Sequence, residues 1–168
     1  MQLTEYFLAQ LDREAALTRK AIERVPEGKG GFKPHERSME LGMLATLTAR
    51  MPGWIASIVE LDSLDLDAPE SEKFRTKAVA AKAEMLALLD DGVAEARRAL
   101  SATSEEHLEK KWAFKMRGMT MTEKPRKEMI SDSVFSHLAH HRGQLTVYLR
   151  LLESSVPALF GPSADEKF

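Results

Sequence analysis

The sequence contains no cysteine in its 168 residues. No disulfide can staple the chain, and no thiolate is available as a nucleophile or a metal ligand. A transition-metal site would have to use histidine, aspartate or glutamate. A basic surplus is also missing, since the formal net charge is −2. Binding phosphates needs such a surplus, so neither a nucleic acid nor an anionic membrane is expected as a partner. The pairs Arg97-Arg98 and Lys110-Lys111 read as solvated helix faces or ends. No run approaches the roughly 18 apolar residues of a membrane span. The opening Met1-Gln2-Leu3-Thr4-Glu5 carries an acid where a secretory signal is basic, so the expected location is the cytoplasm. A G-x-S-x-G elbow is absent, and the glycines of residues 27–31 follow no strand pattern that would make them a phosphate loop.

Hydrophobic residues make up 43% and charged residues 30%, the balance of a globular chain, and the length suits one domain over residues 1–168. Apolar residues recur with helical spacing. Leu8, Leu11, Ala15, Ile22 and Val25 predict a first helix over 2–25, ended by Pro26 and Gly28-Lys29-Gly30-Gly31. Ser38 is a candidate N-cap for a second helix reaching Leu61, with Leu41 standing where a capping box would place an acid. Leu44, Leu47, Met51, Trp54 and Ile58 share its apolar face, and Pro52 should kink it or remove one backbone hydrogen bond. Residues 62–69 read as a loop. Ser71 opens the third helix, in which Val79, Leu86, Val93 and Leu100 recur at seven-residue spacing. Residues 104–124 are less periodic: Trp112, Phe114 and Met116 alternate with polar residues before Gly118, which suits a short hairpin or an irregular crossover. Pro125 fits the first turn of a fourth helix running to about Leu152. Four such helices with one long crossover predict an all-α four-helix bundle.

The chemistry, where any is legible, lies in the histidines. Each residue advances about 100° round a helix. With His141 at the centre, Ile130, Val134, Leu145, Tyr148 and Leu152 fall within about 40°, so His141 sits mid-stripe; His137 lies one turn earlier on the same face. Imidazoles at i and i+4 can reach one metal ion. Placing both on a core stripe demands partners for their nitrogens, and a metal ion, buried water, Gln144 or a group on another helix would each supply them. His140, about 100° away, His35 after Pro34, and His107 among Glu105, Glu106 and Glu109 read as solvated. Ser131, Asp132 and His137 make a triad only on paper, because nothing orients them. Met119, Met121 and Met129 read as gap fillers rather than copper ligands.

The run His137-Leu138-Ala139-His140-His141-Arg142-Gly143-Gln144-Leu145, then Tyr148-Leu149-Arg150, Val156-Pro157 and residues 161–166, resembles the DinB/YfiT-like superfamily. Residues 33–39, Leu41-Gly42 and Met51-Pro52-Gly53-Trp54 look like the start of that family's second helix. The resemblance implies an up-down-down-up four-helix bundle, a homodimer, and a divalent metal, nickel or zinc, held by three histidines. Two of these match His137 and His141. The third, counted back from Met51-Pro52, falls on Leu47, which cannot ligate. Characterised relatives include thiol S-transferases and a maleylpyruvate isomerase. The resemblance therefore implies a degenerate two-histidine site with thiol S-transferase-like chemistry on a small molecule, Gln144 touching the ligands and Tyr148 lining the pocket with Leu47. The alternative is a non-catalytic bundle that has lost its metal and binds a small molecule or a partner.

Overall fold

The first helix forms because Phe7, Leu11, Thr18, Ala21 and Ile22 bury one face while its N-terminal amides find acceptors. The Glu5 carboxylate accepts from the Gln2 N–H at 3.1 Å, and Glu105 accepts from the Leu3 N–H at 2.5 Å. In this computed structural model, which describes residues 2–167, the elements run α1 (Leu3–Glu23), α2 (Leu41–Arg50), a 3-10 turn (Met51–Gly53), α3 (Trp54–Glu60), β1 (Ser63–Asp65), a second 3-10 segment (Pro69–Phe74), α4 (Lys82–Ala102), α5 (Glu105–Glu109), β2 (Lys111–Met116), β3 (Met119–Pro125), α6 (Arg126–Met129), a π-helical segment (Ile130–Ser136) and α7 (His137–Leu151).

The chain is mostly helical, but an all-α fold needs correcting, because three strands form a small sheet in the order β1-β2-β3. Strand β1 runs parallel to β2, and β2 antiparallel to β3. The hairpin is the outcome for residues 111–125. Its two-residue turn, Arg117-Gly118, has φ of 51° and 76°, the paired positive values that match the twist of a tight hairpin. Trp112 is buried, whereas Met116, beyond a register shift between Phe114 and Lys115, is exposed at the turn.

Two helix starts also differ. Ser38 is no cap: α2 begins at Leu41, and the Ser38 N–H instead closes a turn on the His35 carbonyl. The third long helix does not open at Ser71, which is buried in the second 3-10 segment. Arg75 holds the stretch before α4 out of helix, its Nε donating to the Leu66 carbonyl at 2.9 Å and its guanidinium facing Asp67 and Glu72. The Val79 N–H donates to Thr46 Oγ1 at 3.1 Å, so the first heptad position precedes its helix. Pro52 breaks the second helix as expected, through the 3-10 turn between α2 and α3. There Gly53 and Gly92 let α4 cross closely, since a Cβ on Gly92 would stand 3.0 Å from the Gly53 nitrogen.

Helix α4 packs on α1, α2 and α3, while α7 packs on α1 and α2. One buried group gathers Phe7, Ile58, Leu100, Trp112 and Ile130; a second gathers Ile22, Leu44, Leu89, Leu145 and Tyr148. No helix among the described residues is long and apolar enough to cross a membrane.

Candidate functional site

The last long helix is not one regular helix. Residues 130–136 are wound as a π-helix, which inserts an extra residue into the turn just before His137. Ile130 and Val134 remain buried across it. The segment's Ser133, with Met129 at the end of α6, reaches the wall of a cavity of about 430 Å³ that His137 borders.

His137 and His141 come together as their spacing requires. Their Nε2 atoms lie 2.8 Å apart, and their ring centroids 4.5 Å. His141 is buried, and its Nδ1 lies 2.8 Å from Gln144 Oε1. His137 is half-buried, with the Trp54 ring 5.9 Å away and a backbone hydrogen bond to Ser133. Burial pushes the pKa of both imidazoles below the ordinary histidine value. For His137 the neighbouring His141 and His140 add to this; for His141 the bond to Gln144 opposes it.

Counting protons defines what the pair can do. With acceptors at both ends, the Ser133 carbonyl and Gln144 Oε1, and one bond between the rings, three ring protons are needed. Two neutral imidazoles carry two. The neutral pair is therefore satisfied when the Gln144 amide turns its NH₂ towards His141, and the singly protonated pair when it presents Oε1. The two states differ by one proton and one amide rotation.

Leu47 and His137 border the same cavity. Gln144 touches His141 as expected, but from an exposed position. Tyr148 lies elsewhere: its hydroxyl donates to the Met39 carbonyl at 2.9 Å, its ring meets Phe32 edge-on, and it does not line the cavity. His140 is exposed, and so is His35, which accepts from the Arg37 N–H. His107 needs correcting: it is half-buried, 2.8 Å from the Val59 carbonyl and 3.0 Å from Arg126 Nε. Arg126 drew it inward, being itself buried and anchored on the carbonyls of Lys111 and Leu61.

Sequence reasoning missed most of the cavity wall. Leu64 from β1, Phe74 from the end of the second 3-10 segment, and Trp112, Phe114 and Thr122 from the hairpin line it. Only the alternation of Trp112 and Phe114 hinted at this. Among the described residues, no set of three His, Asp or Glu side chains is placed to hold a metal ion. Two imidazole nitrogens on one tetrahedral zinc stand about 3.3 Å apart, so the 2.8 Å contact is a hydrogen bond that would have to open. Leu47, the position that the resemblance gives for a third histidine, has no donor. The donors present do not fit a three-histidine centre.

The comparisons with known proteins agree with this fold. A solved structure of a DinB-like protein from Bacillus subtilis, YjoA, matches with a TM-score of 0.65 at 15% sequence identity, covering 89% of this chain and 93% of that one. None of the curated proteins matches the sequence. The DinB family model matches residues 1–166. With nearly its whole length covered by that match, the chain belongs to the DinB family.

Proposed function

We propose that this protein is a single DinB-like domain over residues 1–168, built as an up-down-down-up four-helix bundle, and that it binds a small, mostly apolar molecule in the cavity bordered by Leu47 and His137. One observation carries the reading: the position from which a third ligand would come is apolar and faces the same cavity as His137. A partly open, largely apolar space of about 430 Å³ lies within the range of small-molecule sites. His137, backed by His141, brings an imidazole to its wall, and its lowered pKa keeps a neutral ring there to exchange a hydrogen bond or take up a proton. The test is saturable one-to-one binding of an uncharged apolar probe, 2-naphthol, by calorimetry. The Ser57→Phe variant fills part of the cavity and should abolish it while the protein stays folded. Binding unaffected by that variant would sink the reading.

A second reading is supported by the convergence of the two Nε2 atoms: a weak divalent site for nickel or zinc, with thiol S-transferase-like use of a small-molecule substrate. Elemental analysis of untagged protein tests it, with stoichiometric metal lost on His141→Ala as the supporting result. We also read the protein as cytoplasmic and homodimeric. Exposed Val147 and Leu151, one turn apart on α7, offer the dimer an apolar surface.

A further inference from the structure

The walls of the cavity say more about its occupant than its size does. Four aromatic rings reach it from three stretches of chain: Trp54 from α3, Phe74 from the end of the second 3-10 segment, and Trp112 and Phe114 from β2. Among the residues that line it there is no Lys, Arg, Asp or Glu. The polar groups are the hydroxyls of Ser57, Thr76, Thr122 and Ser133, the His137 imidazole and two indole N–H groups, of which that of Trp112 is buried without a hydrogen-bond partner. Of these, the Ser133 hydroxyl finds only the Met129 thioether, at 3.9 Å, and so keeps its bonding capacity for another partner. Ser133 stands one turn before His137, so both polar groups belong to one end of the space.

From this we infer that the occupant is an uncharged aromatic ring compound carrying one hydroxyl or carbonyl group, seated with that group at Ser133 and His137 and its ring among the aromatic walls. The inference rests on the binding reading above and narrows it. The ring preference follows from offset and edge-on packing between aromatic faces. The charge preference follows from desolvation: a carboxylate entering this space would lose much of its water and meet no Lys or Arg, whereas a hydroxyl is satisfied by one or two hydrogen bonds. A cosubstrate with several carboxylates is a poor fit for the same reason.

The chain has two tryptophans, Trp54 and Trp112, and both line the cavity, so binding can also be followed by their emission. Three probes of one size separate the ideas in calorimetric titrations at pH 7.5: 2-naphthol, 2-naphthoate and decahydro-2-naphthol. We expect 2-naphthol to bind at least about tenfold more tightly than 2-naphthoate and several-fold more tightly than the saturated alcohol. Ser133→Ala should weaken 2-naphthol about threefold or more and leave naphthalene unchanged, a difference that simple loss of fold would not give. If 2-naphthoate binds as well as 2-naphthol, the charge inference is wrong although the cavity still binds. If the saturated alcohol binds equally well, the aromatic assignment is wrong. If no probe binds, the binding reading itself fails, and this inference with it.

Discussion

At the scale of residues, the histidine pair sets a pH dependence whose sign is fixed by burial. Both folded-state pKa values lie below the ordinary histidine value of about 6.5. Below that value the unfolded chain therefore binds more protons than the folded one. The pair's contribution to stability is complete above about pH 6.5 and is lost as pH falls through the lower folded values. Urea midpoints between pH 7.5 and 5.5 should fall more steeply for the native chain than for a His137→Gln, His141→Gln double variant; parallel curves would contradict this. Gln144→Glu should raise the His141 titration, read by NMR, because a carboxylate beside Nδ1 favours the imidazolium. A second residue-scale feature is Arg142, 1% exposed, with its Nη2 2.7 Å from Glu14 and Nη1 on the Glu14 carbonyl and Thr18 hydroxyl. Removing one partner leaves the other charge buried, so Glu14→Gln should cost about 3 kcal/mol in chemical denaturation. A loss near zero would show that water reaches the pair. The histidine spacing was readable in the sequence because a helical repeat fixes which side chains share a face. The inward turn of His107 was not, because it depends on Arg126, a residue nineteen places later that three backbone and ring acceptors hold.

At the scale of elements, the π-helical segment decides which side chains reach the cavity. Deleting Asp132, an exposed residue within it, should convert the segment to regular α-helix and rotate Ser133 and Met129 away from the wall. Far-ultraviolet circular dichroism should then change little while 2-naphthol binding falls by an order of magnitude or more. Retained binding would show that the extra residue has no part in the site. The crossing of α4 over the Met51–Gly53 turn makes a separate prediction. Gly92→Ala places a methyl 3.0 Å from the Gly53 nitrogen and 3.3 Å from its Cα, backbone atoms that cannot move aside. It should lower stability by about 1–3 kcal/mol, measured by urea denaturation. Long periodic helices and the Pro52 break were legible because propensity and apolar spacing agree there. The start of α4 was not, since Arg75 and Thr46 hold the preceding residues by hydrogen bonds that cross the fold. The π-turn left no mark either, because Ile130 and Val134 keep the i, i+4 apolar spacing of an ordinary α-helix.

At the scale of the whole molecule, two layers meet at one cavity. The helices supply Leu47, Trp54 and His137; the small sheet and its flanking loops supply most of the apolar and aromatic wall. A reading limited to helical periodicity found the first half and lost the second, which is why the histidines were visible before the space they face. In this DinB-family chain the two inward histidines are held by contacts to each other, to Gln144 and to Ser133, and Leu47 borders the same cavity as His137. Leu47 brings an apolar side chain with no donor to the wall that His137 borders, which leaves the histidine pair a poor zinc site. Calorimetric titration of untagged protein with zinc, beside the Leu47→His variant, tests it most directly. The account predicts no stoichiometric binding tighter than about micromolar in the native chain and a gain of at least about a hundredfold in the variant. One equivalent of zinc held at nanomolar affinity by the native chain, with no gain in the variant, would contradict it.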